Sequence, residues 1–92
     1  MKYSIGSGVI CRMIAEDYYL IAAGEAVREC PAIQQINAGA AYYWTLLEQN
    51  SDSEEVLHEA AARSGQPEDA LRPGFERFLE ELLEEKYLIR EG

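Results

Sequence analysis

Ninety-two residues suffice for one small domain with a single core, because a chain this short buries only about two-thirds of its unfolded surface. With 17 acidic against 8 basic residues the formal net charge is -9, which repels phosphate backbones and anionic membranes, so peptides or proteins are the expected partners and nucleic acid and membranes are not. A hydrophobic content of 48% excludes general disorder. No apolar run nears the roughly 18 residues of a membrane span, and MKYSIGSGVICR lacks the apolar stretch of a signal peptide, so a cytoplasmic location is expected. Cys11 and Cys30 form no Cys-x-x-Cys pair, and with one histidine, His58, they match no common metal spacing. They read as reduced thiols, a disulfide being the minor alternative.

In chain order, residues 1–8 end in Gly6-Ser7-Gly8 and have turn composition, which predicts a flexible N-terminus before a single domain over 9–92. VICRMIA at 9–15 alternates and is rich in β-branched residues, predicting a strand. Glu16-Asp17 is the expected turn into YYLIAA at 18–23, the second arm of a hairpin ended by Gly24. A mixed-charge loop, GEAVREC at 24–30, leads to Pro31 and a third strand, AIQQI, where proline is tolerated only at an edge or first position.

Asn37 then has the side chain of a helix N-cap, able to accept from the N–H of Gly39 or Ala40. Residues 37–40 read as that cap plus a close-packing patch, and the aromatic run ending in Trp44 as core. Asn50 stops this first helix, and Ser51 with Glu54 fits a capping box for the second. Val56, Leu57, Ala60, Ala61 and Ser64 form its apolar stripe, and Gly65 suits a left-handed C-terminal cap. Pro73 predicts the start of the third helix, running to about Lys86, because a proline inside it would remove a donor and clash with the Asp69 carbonyl. Phe75, Phe78, Leu79, Leu82 and Leu83 have core-facing spacing, and Tyr87-Leu88-Ile89 should pack back on the core. The order is β-β-β-α-α-α, an α+β fold of winged helix-turn-helix type: three antiparallel strands, then three helices.

Little in this sequence supports catalysis, so no enzyme is expected, nor any cofactor or metal. His58 has Glu54 and Glu55 one turn before it and no nucleophile nearby, which makes a solvated helical histidine the simpler reading. The glutamates of the last helix lack the glycine and alternating oxygen ligands of a calcium loop. Asp52-Ser53 at a helix start resembles a carrier-protein phosphopantetheine site, but Glu54 replaces the expected leucine and three strands do not suit that bundle. A DNA-binding winged-helix regulator is the main alternative. Its recognition helix would expose Glu76, Glu80, Glu81, Glu84 and Glu85 against Arg77 alone, which opposes entry into the major groove. AIQQI, by contrast, has the character of an edge strand able to accept an extended peptide, and such an edge also permits homodimerisation.

The stretch EDYYLIAAGEAVRECPAIQQINAGAAYYWTLLEQ resembles PqqD-like proteins. A strand ends in a Gly-Glu-Ala turn (Gly24-Glu25-Ala26), and a second strand leads to a Leu-Asn-type pair (Ile36-Asn37). Small residues (Gly39-Ala40) and an aromatic helix with Trp44-Thr45-Leu46-Leu47 follow. FERFLEELLEEKYLI at 75–89 is similar to the family's final helix, so the resemblance spans Val9 to Ile89. The chain departs from the family in two places. Lys86-Tyr87 stands where a glycine often ends the last helix, and Pro73-Gly74 interrupts the approach to it.

The resemblance implies a non-catalytic, winged-helix-like module that binds the leader of a ribosomally made precursor peptide. It further implies that the leader is presented to a modifying enzyme, often a radical S-adenosylmethionine enzyme. The leader would pair as an added strand with the backbone of Ala32, Ile33, Gln34, Gln35 and Ile36, while Phe78, Glu81, Leu82 and Glu85 would line the opposite wall.

Overall fold

The computed structural model describes residues 2–28 and 30–91. Met1, Glu29 and Gly92 lie outside the described residues, and with them parts of the expected flexible terminus and of the 24–30 loop. Strands β2 (Val9–Ile14) and β3 (Asp17–Ala22) form the expected hairpin, Ile14 standing opposite Asp17. The turn sits one residue earlier than Glu16-Asp17 predicted: Ala15 and Glu16 both have positive φ, 51° and 74°. Two-residue hairpins favour such turns because their twist matches that of the strands. Strand β4 (Ile33–Ile36) pairs antiparallel with β3, in the order β2-β3-β4. Between β3 and β4 the predicted loop contains a 3₁₀ turn over Gly24–Arg28.

Period-two alternation divides this sheet into two faces. Val9, Leu20 and Ala22 are buried on the inner one, while Ile10, Ile14 and Ile33 stay exposed. Three helices follow: α1 (Ala38–Gln49) packs against β3, α2 (Ser53–Ser64) against α1, and α3 (Glu68–Glu84) against α2. Trp44, Val56, Leu57, Phe75, Tyr87 and Leu88 are essentially inaccessible and form the centre of the core. The expected α+β order, antiparallel strands followed by three helices, is the observed one.

Two short strands are added at the ends. Lys2–Ile5, where turn composition predicts fraying, form β1, which pairs antiparallel with β5 (Leu88–Glu91). Tyr3 is buried, and its N–H donates to the Ser51 carbonyl at 2.9 Å. One tertiary partner, β5, therefore orders a segment whose local sequence does not specify a strand. At Gly8 the chain tolerates no side chain, because φ is 86° and a Cβ there would lie 2.5 Å from the Ala23 carbonyl oxygen.

Helix α1 begins as predicted, with the Asn37 side chain accepting from the Ala40 N–H at 2.7 Å, and ends at Asn50. For α2 the cap is Asp52 rather than Ser51, its carboxylate accepting from the N–H groups of Glu54 and Glu55. The Ser51 backbone is engaged with β1, and the negative charge of Asp52 suits the positive end of the helix dipole. Gly65 closes α2 in the left-handed conformation, φ 73°. Ser64 is exposed and does not belong to the α2 stripe, whose other four members are buried.

The largest departure is α3, which starts at Glu68 and runs through Pro73 instead of starting there. Both Pro73 and Asp69 are exposed, so the carbonyl deprived of its donor can turn to water. Contacts with α2 secure the turns before the proline. Arg72 donates to both carboxylate oxygens of Glu54 at 2.9 and 3.0 Å, and His58 Nδ1 lies 3.3 Å from Glu68. His58 thus sits at the α2–α3 seam while remaining exposed.

Candidate functional site

Strand β4 has one neighbour, so one side of its backbone is open. Which groups face outward follows from a single bond: the Ala22 N–H donates to the Ala32 carbonyl at 2.9 Å, continuing the register in which Ile21 faces Ile33. Bonded and non-bonded pairs alternate in an antiparallel ladder. Gln34 and Ile36 therefore bond to Leu20 and Tyr18, whereas Ile33 and Gln35 direct both N–H and C=O away from β3. These two residues supply the edge.

The α3 end of β4 is anchored. The Tyr87 hydroxyl donates to the Pro31 carbonyl at 2.7 Å, and the Cys30 thiol donates to the Lys86 carbonyl at 3.2 Å. Cys30 and Cys11 form no disulfide. At the other end of β4 a groove of about 390 Å³ opens between the start of α1 and the middle of α3, lined by Asn37, Gly39, Ala40, Tyr43, Gly74, Arg77, Phe78 and Glu81. Its apolar wall belongs to an aromatic cluster, with the Tyr43 ring centroid 4.8 Å from that of Phe75, edge-on, and 5.7 Å from that of Phe78, tilted. Burial, with Tyr42 second, raises the Tyr43 hydroxyl pKa.

The fold brings the expected site residues together unevenly. Phe78 and Glu81 line the groove, whereas Leu82 is 3% exposed and belongs to the core. Glu85 follows Glu81 by one turn and is half-buried, with its Oε2 enclosed and lacking a hydrogen-bond partner among the described residues. Tyr43, Gly74 and Arg77 are lining residues that sequence reasoning missed. A signal was present, since 74, 77, 78 and 81 share one helical face of the predicted helix, but periodicity alone does not fix which flank of α3 faces the groove.

Gly39 corrects the expected close-packing patch. A Cβ at Gly39 would meet only Asn37 Oδ1 at 3.4 Å, and one at Gly74 would meet nothing within 4 Å. Both glycines widen the groove rather than admit a neighbouring element.

The second sheet edge is β2, where the Ala23 N–H to Gly8 carbonyl bond turns the backbone of Cys11 and Met13 outward by the same alternation. It borders a shallower hollow containing Tyr42 and Glu48. Burial, with Glu48 second, raises the Cys11 thiol pKa, so this cysteine is not an activated nucleophile. Among the described residues no group of three or more His, Cys, Asp or Glu is arranged to hold a metal ion, and no helix is long and apolar enough to cross a membrane.

The chain is similar in structure to TbiB1 solved in complex with the TbiA(beta) leader peptide, with a TM-score of 0.74 and 20% sequence identity over 100% of this chain and 99% of that one. At that identity the likeness speaks for the fold. No curated protein matches the sequence significantly. The family model for coenzyme PQQ synthesis protein D matches residues 29–88, a segment running from the entry of β4 through all three helices to the start of β5. Well over half of the sequence lies within that match, and the chain belongs to the PqqD family.

Proposed function

We propose that this protein is a non-catalytic module that binds the leader of a ribosomally synthesised precursor peptide by strand addition to β4 and presents it to a modifying enzyme. One observation carries the reading: β4 presents an open backbone edge at Ile33 and Gln35, and Asn37, just past its end, lines a groove with an aromatic wall. An added strand draws affinity from such backbone groups and selectivity from adjacent side-chain pockets. Membership of the PqqD family and the likeness to a protein solved with a leader peptide support the same reading. The family match favours β4 over β2, because it includes β4 and α3 and excludes β2.

In this reading Ala32 to Ile36 form the docking edge, with Phe78, Glu81 and Glu85 on the facing wall and Leu82 supporting it from the core. The protein works in the cytoplasm, where leaders are made. A radical S-adenosylmethionine enzyme is the class of modifying partner we favour, on the family resemblance.

Calorimetric titration with precursor peptides encoded near the gene tests the proposal. Binding tighter than about 100 μM is expected. Ile33→Pro should weaken it at least tenfold, because proline deletes an outward donor while the β3–β4 bonds of Ala32, Gln34 and Ile36 remain. Met13→Pro, at the outward position of β2, should leave affinity unchanged. Equal affinity for wild type and Ile33→Pro rules out strand addition at β4.

A further inference from the structure

Chain direction around the groove is set by contacts at both ends. β4 begins beside the end of α3, where Tyr87 and Lys86 hold Pro31 and Cys30, and finishes at Asn37, which shares the groove with Gly74 and Arg77. β4 and α3 therefore run in opposite directions. Every neighbour in this sheet is antiparallel. A peptide added to β4 in the same sense runs along α3 with its N-terminal part near Arg77 and its C-terminal part near Glu85.

Charges along that wall are ordered. Arg77 is an exposed cation with no ion pair among the described residues, and it is followed by Glu81 and then Glu85. The enclosed Oε2 of Glu85 is an acceptor still lacking a donor, which is costly away from water. Glu85 keeps right-handed helical geometry, so it continues the face of Arg77 and Glu81. Four helical residues advance about 6 Å, and two residues of an extended strand advance about 6.8 Å. Side chains at alternate positions of a bound peptide thus keep step with positions 77, 81 and 85.

We infer that the groove selects peptides by the order of their charges: an acidic residue facing Arg77, then a basic residue two to four positions later facing Glu81 or Glu85. The inference rests on strand addition at β4 and specifies the leader chemistry that this chain accepts. The overall charge of -9 attracts any basic peptide, whereas the sequence of charges on α3 distinguishes two peptides of identical composition.

Panning a phage-displayed library of random twelve-residue peptides tests this, on the wild type and on the variant Arg77→Glu/Glu81→Arg/Glu85→Arg. Wild type should enrich acid-before-base peptides, and the variant the reverse order. Synthetic peptides of the two orders and equal composition should differ about tenfold in Kd on the wild type, with the ratio inverted on the variant. Circular dichroism checks folding, and Glu81→Lys alone, at an exposed position, is a second variant that should shrink the wild-type ratio. Enrichment without charge order, or the same order on every protein, overturns the inference. Strand addition survives that result if Ile33→Pro still abolishes binding of the selected peptides. If they bind Ile33→Pro as well as wild type, or if nothing is enriched, strand addition falls and the inference falls with it.

Discussion

At the scale of residues, Tyr87 connects stability to the geometry of the site. Its ring is inaccessible, its hydroxyl holds the Pro31 carbonyl at the head of β4, and burial first, then Glu85 and Cys30, push its pKa up to about 12. Below pH 10 the phenol is protonated in folded and unfolded chains alike, so its contribution is fully present. Above pH 10 the unfolded chain loses the proton first, and stability falls by about 2 to 3 kcal/mol as the pH rises through 12. Denaturant unfolding should show that loss in the wild type. Tyr87→Phe should be less stable near neutrality by about 1 kcal/mol, for the missing hydrogen bond, and should lack this alkaline component. Glu54 behaves in the opposite sense: its bond to Arg72 lowers its pKa, so its contribution is present above the ordinary carboxylate range and is lost as acid protonates it. Because Glu54 is exposed, its share is small.

Among the elements, the end of α3 shows a chain departing from its family at a known structural cost. Lys86 has φ 67°, its N–H donates to the Leu83 carbonyl, and the Tyr87 N–H donates to the Leu82 carbonyl. That bond pair is a Schellman motif, which normally places glycine at the left-handed residue, and Leu82 and Tyr87 make the buried pair that accompanies it. Lysine there carries a steric cost that glycine avoids, so Lys86→Gly should raise stability by about 1 kcal/mol, visible as a higher denaturant midpoint with an unchanged slope. The family resemblance made this position conspicuous in the sequence, but its backbone angle and its partners required the fold. Pro73 is the converse case. Local chemistry argued for a helix start, yet the Glu54–Arg72 and His58–Glu68 contacts extend α3 by more than a turn before it.

In the whole molecule, charge and packing are partitioned. Residues 48–92 carry thirteen acidic and five basic side chains, so the helical half supplies most of the negative field while the sheet is nearly neutral. The small β1–β5 sheet pairs the two ends of the described chain and is separate from the sheet that contains β4. Deleting residues 1–5 removes the buried Tyr3 side chain and should cost about 2 kcal/mol, lowering the melting temperature by roughly 10 °C. Peptide affinity at temperatures where the truncated chain stays folded should be unchanged, because the β3–β4 pairing and the residues lining the groove lie outside the deleted segment. Loss of binding there would tie the N-terminal strand to the site.

By itself the sequence determined the class and order of the main elements, the Asn37 and Gly65 caps, and the burial of Trp44, because each rests on local periodicity or on one side chain meeting a nearby backbone group. The edge-strand character of AIQQI, and then the resemblance, directed attention to β4. Only the tertiary structure decided that Ile33 and Gln35, rather than Gln34 and Ile36, present the free backbone groups, since that depends on the pairing parity with β3. It alone brought Tyr43, Gly74 and Arg77 to one groove. Those assignments depend on how α1 and α3 pack against the sheet, a long-range arrangement that no local pattern in the chain encodes.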